Sequence, residues 1–474
     1  MGNSWINQAT EYLSDRVKFA SNGQLLLRLY CLSAAISIGL SQLLVITLLL
    51  HWLSFLYFQP RCERYRFLPA LSDMIVLSCL SWSAISFGSV FWGVDSLHAL
   101  PEFFKTSVYL LFPFAVFSVL QATDDTITVR QQIRNCVMLL LLGQGVASLH
   151  SIFSEIAGVE LRPGLPGAVT ESGQLVLVLP LILSAFQEKA RPYRELAVPA
   201  AIIVVSLALS YGSGGSGIFL LLKLLIASIF GFFLVFYMRS LTKTQRIVAI
   251  QQILAGLLIA ALIINLKRGP WLAVFVEFCL LSFLLSRRIF LATVAMSLIA
   301  FVCLIPVQQR LFDSSSHFQI AGGRETMWTL GAELVQRYPL GLGPDNASYM
   351  RELDPNLPRL HRHMHNNFLN IAVENGWLGL FAFCWWIYAC IAMGCRAWGE
   401  SRRASRASAE RSLGLYAICL ATALMGWQIA GVVEYNFGDG EIRLIAFLFM
   451  GFILWIGTFF SGRHQRSEEL LSDN

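Results

Sequence analysis

One histidine stands where a polar segment meets an apolar run. His365 lies in the sequence His-Asn-Asn-Phe-Leu-Asn, directly before a run that starts at residue 367. A neutral imidazole can take a proton from a hydroxyl group near neutral pH, because its reference pKa is about 6.5. We therefore predict that His365 is a general base. The simpler interpretation is a histidine that begins a helix at a membrane interface.

The same histidine is the last of three at alternate positions, His361, His363 and His365. Such a group can bind a metal ion, but no carboxylate stands beside it at helical spacing. The sequence therefore favours a base over a metal ligand. We expect no metal and no other cofactor.

Two arginines precede this histidine in unusual places. Arg268 lies in Asn-Leu-Lys-Arg-Gly-Pro-Trp, where two apolar runs meet, and Arg324 follows Ala-Gly-Gly and opens a predicted helix over residues 324–337. A planar guanidinium group suits phosphate oxygens, so both are candidate diphosphate ligands. The alternatives are a side chain anchored among lipid headgroups for Arg268 and an exposed loop position for Arg324.

The last polar connection contains several carboxylates, in Glu-Tyr-Asn-Phe-Gly-Asp-Gly-Glu-Ile-Arg over residues 434–443. Asp439 and Glu441 are candidates for orienting a base or binding a divalent ion. A capped turn before a helix explains the same pattern more simply.

Composition indicates a membrane protein, since 56% of the residues are hydrophobic and 14% are charged. Apolar runs of about 20 residues, enough to cross a bilayer, recur along the chain. They do not alternate as barrel strands do, so they are predicted helices. The net charge of +6 comes from short connections between runs. This is typical of the bias towards positive cytoplasmic loops, so we expect no nucleic acid partner.

The runs predict an all-α polytopic membrane protein of about 12–14 transmembrane helices. Residues 25–58 are too long for one span and predict a helical hairpin. Basic residues fill alternate connections, which places both termini in the cytoplasm and residues 307–366 in a large, partly helical periplasmic loop between the late helices. The predicted divisions are a cytoplasmic segment 1–24, a helix bundle 25–306, the loop 307–366, the helices 367–461 and a cytoplasmic tail 462–474.

Several motifs together resemble the bacterial O-antigen ligase and O-antigen polymerase family. They are Lys-Arg-Gly-Pro-Trp-Leu-Ala from residue 267, Gly-Arg-Glu-Thr-Met-Trp from residue 323, Tyr-Pro-Leu-Gly-Leu-Gly from residue 338, and His365-Asn366 before a helix with Gly376 and Gly379. The resemblance covers residues 260–460. A further predicted hairpin over residues 195–238, with a glycine- and serine-rich tip, departs from the family pattern.

The resemblance implies a GT-C-like glycosyltransferase of the bacterial inner membrane with a periplasmic active site. It would move a glycan from undecaprenyl diphosphate to the lipid A–core oligosaccharide, by inverting transfer without a metal. The family's two arginines correspond to Arg268 and Arg324, its histidine to His365 and its late acidic residue to Glu441; Asn366 and Asp439 are supporting candidates. The expected partners are the lipid-linked glycan, the acceptor and membrane lipids. The alternatives are a polymerase that joins lipid-linked repeats, and a transporter of the lipid-linked glycan.

Overall fold

A computed structural model describes residues 15–123, 125–157, 167–185, 197–211, 218–312, 323–357, 361–403 and 408–472. Within these ranges every regular element is a helix. Four short helical turns lie between the main helices, at Arg61–Arg64, Tyr65–Phe67, Ala347–Tyr349 and Met350–Leu353. The main helices, numbered in chain order, are α1 Arg16–Ser33, α2 Ile38–Phe58, α3 Met74–Trp92, α4 Ser96–Leu110, α5 Phe112–Gln121, α6 Thr126–Ala157, α7 Ala168–Val178, α8 Leu181–Ala185, α9 Ala197–Tyr211, α10 Ile218–Ser240, α11 Lys243–Ile264, α12 Arg268–Leu285, α13 Arg287–Cys303, α14 Ile305–Phe312, α15 Arg324–Arg337, α16 Asn367–Arg403, α17 Ser408–Gly431 and α18 Gly440–Ser472.

Nine helices in the described part of the chain are long and apolar enough to cross a membrane, and three shorter apolar helices accompany them. The prediction of an all-helical polytopic membrane protein is therefore confirmed. The nine are Ile38–Phe58, Met74–Trp92, Ser96–Gln121, Thr126–Ala157, Gln245–Ile264, Arg268–Leu285, Asn367–Arg403, Ala409–Gly431 and Gly440–Gly462; the shorter three are Ala168–Ser184, Val198–Ser210 and Leu225–Ser240.

The predicted number of about 12–14 spans is larger than these nine. Two helices account for part of the difference. Helix α1 contains Arg16, Lys18 and Arg28, which make it too polar for a free-standing span, and α13 has only 17 residues. The hairpin predicted over residues 25–58 is present, with its turn at residues 34–37, but its first helix begins earlier, at Arg16. The tip predicted for the hairpin over residues 195–238 lies outside the described residues.

Helices α17 and α18 form the centre of the bundle. Within their most apolar windows, 89% and 83% of the residues are buried, compared with 33% for α2. An aromatic cluster joins these helices to α3 and α16: the ring of Phe437 lies 5.6 Å from Trp82 and 5.1 Å from Phe383, and Trp82 stacks on Trp386 at 5.8 Å. Phe437 belongs to the connection between α17 and α18, so this cluster fixes that connection to the core.

Helix α16 is interrupted near its start, and the loop before it packs into the break. Gly376 has φ 71 and ψ −175, which no helix allows. The interruption frees two carbonyl groups, and they accept hydrogen bonds from Leu342 N–H (2.9 Å, to Val373 O) and Gly343 N–H (2.8 Å, to Glu374 O). The predicted Tyr-Pro-Leu-Gly-Leu-Gly motif is therefore the segment that pairs with the broken helix.

Candidate active site

A cavity of about 700 Å³ opens at one end of the bundle. Its walls come from α3, α4, α7, α12, α16, α17 and α18, and from residues 344–345, 362–363, 365 and 434–439 of the connections. Residues of the predicted loop 307–366 and of the last polar connection, 434–443, therefore line the same space. His365 and Glu434 both line it.

Glu434 joins an arginine and a histidine that are far apart in the sequence. Its Oε1 atom lies 2.6 Å from Nη2 of Arg324, and its Oε2 atom lies 3.3 Å from Nδ1 of His365. All three side chains are partly exposed, at 34% for Arg324, 31% for His365 and 21% for Glu434. The group is therefore open to a ligand while each member has a fixed partner.

Arg324 is positioned by the helix that it opens. The predicted helix over residues 324–337 is confirmed as α15. Trp328, one turn further along, donates its indole N–H to the carbonyl of Met364 at 2.9 Å, and Gly331 lets α15 approach Met364 and Leu369 closely. The Gly-Arg-Glu-Thr-Met-Trp motif thus fastens Arg324 to the residue that precedes His365.

The backbone of His365 adopts a conformation that few non-glycine residues take. Its φ is 47, in the left-handed region. Such strain persists only where the surroundings determine it, and it is common at functional sites. Two neighbours hold the turn: Met364 N–H donates to Oδ1 of Asn370 at 3.1 Å, and Asn366 caps α16 by accepting from Leu369 N–H at 3.0 Å. Asn366 therefore shapes the helix start that presents the imidazole.

The start of α16 is also tied to the connection that carries Glu434. The side chain of Asn367 is fully buried, donates to Oδ1 of Asn436 at 2.6 Å and accepts from Phe437 N–H at 3.0 Å. These bonds hold His365 and Glu434 at a fixed separation, because each lies two residues from a member of the network.

The pairing with Glu434 decides which imidazole nitrogen is available. An ionised carboxylate only accepts hydrogen bonds, so Nδ1 of His365 must be the donor, and in the neutral ring Nε2 then carries the lone pair. Burial alone would raise the pKa of Glu434, but the hydrogen bond from His365 and the charge of Arg324 outweigh it and hold the pKa below its ordinary value. Glu434 is accordingly ionised at neutral pH.

The two other histidines of the cluster, His361 and His363, lie near His365, and each has a lowered pKa. The rings of His363 and His365 lie 4.3 Å apart, and the main-chain N–H of His365 donates to Nδ1 of His363 at 3.3 Å. Burial, followed by the proximity of His365, lowers the pKa of His363 to about 4 and lowers that of His361 as well. Within the ranges that the structure describes, the three do not form a group able to hold a metal ion.

Arg268 lies beside this site and is not one of the two side chains that contact Glu434. It is the first residue of α12 and is partly buried. Gly269 packs against Val433 and the end of α17, and Pro270 lines the cavity. The charge of its other neighbour, Lys267, helps to lower the pKa of Glu434. The connection that carries Arg268 is therefore adjacent to the cavity, although Arg268 itself does not line it.

Of the two acidic candidates from the sequence, Asp439 has hydrogen-bond partners at the cavity and Glu441 lies outside the cavity lining. Asp439 lines the cavity, accepts from the Thr170 hydroxyl at 2.6 Å and caps α18 through Glu441 N–H at 3.0 Å. Glu441 does not line the cavity, and its Oε2 is buried without a hydrogen-bond partner among the described residues. The carboxylate in contact with His365 is Glu434, for which the sequence predicted no role. A weak signal existed, since Glu434 starts the same connection.

Residues 253–384 match a family model described as Wzy_C, O-antigen ligase. The matched range contains Arg268, Arg324 and His365 and ends before Glu434. No curated protein matches the chain. The match confirms the resemblance to the family of O-antigen ligases and polymerases that the motifs predicted.

Proposed function

We propose, from the match of residues 253–384 to the O-antigen ligase family, that this protein transfers a glycan from undecaprenyl diphosphate to the lipid A–core oligosaccharide. The reaction takes place on the periplasmic face of the bacterial inner membrane, with both termini cytoplasmic. One observation carries the proposal: Glu434, which lines a polar cavity among membrane helices, contacts both the guanidinium of Arg324 and the imidazole of His365.

The cavity supplies a base for the acceptor. A hydroxyl group of the acceptor sugar gives its proton to Nε2 of His365, and its oxygen forms a bond to the anomeric carbon of the donor. The bond between that carbon and the diphosphate oxygen breaks, and the electron pair leaves with the diphosphate. Attack from the side opposite the leaving group inverts the anomeric configuration. No metal and no nucleotide is required, since the bond that breaks already carries the necessary energy.

The arginines supply stabilisation for the leaving group. Negative charge grows on the diphosphate as the bond breaks, and fixed cations in a partly dehydrated site stabilise such charge more than water does. Arg324 uses one of its five N–H donors on Glu434 in this structure, so others remain for phosphate oxygens. Arg268 and Lys267, at the start of α12, add positive charge on the same side.

Glu434 has a positioning role in this scheme. It keeps Nδ1 of His365 protonated and so keeps Nε2 ready to accept a proton, and it stabilises the imidazolium that forms. It also fixes the separation between the base and Arg324, which places the acceptor hydroxyl and the diphosphate on either side of one carboxylate.

A polymerase that joins two lipid-linked repeats uses the same base and the same diphosphate site, and the two activities differ only in the acceptor. The test is a gel of surface glycolipid from a strain in which the gene is deleted. Loss of all long glycan from lipid A–core supports the ligase, whereas retention of a single repeat unit identifies the polymerase.

The same strain tests the site. Complementation with the wild-type gene restores long glycan, and complementation with His365→Ala does not, with equal amounts of protein in the membrane. Normal glycan in the His365→Ala strain contradicts the proposal. A transporter predicts instead that vesicles containing the purified protein take up lipid diphosphate, without formation of a new glycosidic bond.

A further inference from the structure

A second group of charged residues lines the cavity, on α4 and α18. Arg443 lines it and is 5% exposed. One guanidinium nitrogen, Nη1, donates to the hydroxyl of Thr106 at 3.4 Å. Its Nε atom is buried and has no hydrogen-bond partner in the part of the chain that the structure describes. The proposed reaction makes no use of this side chain.

Aromatic rings hold the guanidinium in place. Its central carbon lies 5.8 Å from the ring centre of Tyr109 and 5.5 Å from that of Phe437. Contacts of this kind stabilise a cation without using its N–H donors. The orientation of Arg443 is thus fixed while most of its hydrogen-bonding capacity is left for something else.

A buried arginine normally has an anionic partner, because removal of its charge from water is costly. Among the described residues, no carboxylate forms an ion pair with Arg443, although Asp439 and Glu102 both attract it electrostatically. A buried, oriented and incompletely paired cation on a cavity wall is the arrangement expected of a ligand-binding group.

The rest of the lining decides the chemical class of the ligand. Glu102 and Asp439 both line the cavity and attract Arg443 electrostatically, and their negative charges disfavour an anionic ligand beside this guanidinium. Glu374 also lines the cavity, with one oxygen 2.8 Å from Asn370 Nδ2, and Tyr435 and Phe437 line it as well. Carboxylates that accept from hydroxyl groups, a guanidinium that donates to them and ring faces that pack on C–H groups suit a neutral sugar.

We propose that Arg443, Thr106 and Glu374 form the subsite for the acceptor, binding the hydroxyl groups of a neutral pyranose in the same cavity as His365. This inference rests on the proposed function and extends it to acceptor specificity. The diphosphate of the donor then binds at Arg324, beside the Glu434 carboxylate that Arg324 and His365 share.

The experiment measures initial rates of transfer by the full-length protein in lipid nanodiscs. The donor is the host's own glycan on undecaprenyl diphosphate, and the acceptor is the host's lipid A–core without O antigen. We expect Arg443→Gln to raise the KM for the acceptor about tenfold or more, as loss of a hydrogen bond from a charged group predicts, with the KM for the donor changed less than about twofold. Arg443→Lys, which keeps the charge without the fork geometry, restores part of the loss.

Two matched variants complete the design. Arg324→Lys raises the KM for the donor instead, and Arg337→Gln, on the exposed end of α15, changes neither. If Arg443→Gln does not fold, Thr106→Val removes the hydroxyl that holds the guanidinium and raises the acceptor KM in the same direction. An unchanged acceptor KM in the folded variants, or a change confined to the donor KM, overturns the inference.

A separate experiment tests whether the sugar bound by Arg443 is neutral. Treatment of the acceptor with phosphatase leaves its KM with the wild-type protein unchanged if Arg443 binds hydroxyl groups. A rise that matches the effect of Arg443→Gln shows that the arginine binds a phosphate and overturns that assignment. Absence of any transfer by the wild-type protein, in contrast, contradicts the proposed function itself.

Discussion

A single carboxylate organises the candidate site at the scale of residues. Glu434 is shared by a permanent cation, Arg324, and a titratable ring, His365. The hydrogen bond from His365 and the charge of Arg324 lower the pKa of the carboxyl group, and the ionised carboxylate fixes the tautomer of the ring. The left-handed φ of His365 is unfavourable for its backbone, and the helix cap and the buried hydrogen bonds around it hold the backbone in this conformation.

The role of Glu434 leads to a first prediction. Glu434→Gln keeps the size of the side chain but removes the charge that stabilises the imidazolium. We expect the rate of glycan transfer to fall roughly 10²-fold or more, the usual contribution of general base catalysis. Steady-state rates on purified protein measure the change. Glu333→Gln, which removes the exposed partner of Arg337 on α15, is the control and leaves the rate unchanged.

Two arginines on one helix give a second prediction. Arg324 opens α15 and contacts Glu434, whereas Arg337 closes the same helix and pairs with exposed Glu333. We expect Arg324→Ala to reduce transfer roughly 10²–10³-fold, as for other groups that stabilise transition-state charge, and Arg337→Ala to have no such effect. Complementation of the deletion strain, with the variants at equal expression, compares them. Equal activity of the two variants argues against the diphosphate role.

The histidine beside the base gives a third prediction, on pH and stability. The pKa of His363 is lowered from 6.5 to about 4, so between these values the unfolded chain binds a proton that the folded chain does not. Stability therefore falls as the pH is lowered from about 6.5 to about 4. The pKa of Glu434 is held below its ordinary value of 4.5, so its contribution to stability is also lost as the pH falls below about 4.5.

Thermal unfolding midpoints of the wild type and of His363→Asn, recorded across this range, test the prediction. The variant lacks the titrating ring, so the advantage of the wild type shrinks as the pH falls through the window. Parallel curves for the two proteins rule out His363 as the group responsible.

At the scale of elements, the decisive feature is the interruption of α16. A continuous helix would leave no free carbonyl groups for the loop, and residues 339–343 would have no fixed position. The interruption at Gly376 instead accepts hydrogen bonds from the loop, and Asp345, which follows in this loop, lines the cavity. A second contact strengthens the junction, since the indole N–H of Trp92 donates to Leu340 O at 2.6 Å.

This junction gives a fourth prediction, with a control in the same helix. At Gly376, φ is 71 and a Cβ atom would lie 2.4 Å from Pro339 O, whereas at Gly399 a Cβ atom meets nothing within 4 Å. We expect Gly376→Ala to destabilise the protein by at least about 1–3 kcal/mol from backbone strain alone. Gly399→Ala is neutral or slightly stabilising, because alanine is the better helix residue. Thermal unfolding compares the variants, and equal midpoints would disprove the role of the break.

At the scale of the whole molecule, one end of the helix bundle gathers the polar connections around the cavity. Basic residues accumulate in every second connection between the apolar runs. The bias towards positive cytoplasmic loops therefore predicts that these basic connections face the cytoplasm and that the cavity, lined by other connections, faces the periplasm.

Orientation gives the fifth prediction. Green fluorescent protein fused after residue 474 folds only in the cytoplasm, so we expect the fusion to be fluorescent. Alkaline phosphatase is active only outside it, so insertion after residue 356, in the exposed turn before Leu357, gives an active enzyme. The opposite pair of results would place the cavity on the cytoplasmic face and exclude a periplasmic reaction.

The sequence by itself determined the class of fold and much of the local structure. Apolar runs of bilayer length leave the backbone no choice but helices, and a chain of such runs is polytopic. Helix α15 was predicted to the residue, because a glycine before it and Pro339 after it mark its ends. His365 was identified by its place at a helix start, a property of nearby residues alone.

Only the tertiary structure decided which groups act together. Glu434 lies 110 residues from Arg324 and 69 from His365 along the chain, and no pattern in any of these segments records that they meet. Periodicity reports which face of a helix is apolar, but the choice among Glu434, Asp439 and Glu441 depends on how α16, α17 and α18 pack. For the same reason, the interruption at Gly376 and the buried guanidinium of Arg443 became visible only once their neighbours from distant helices were in place.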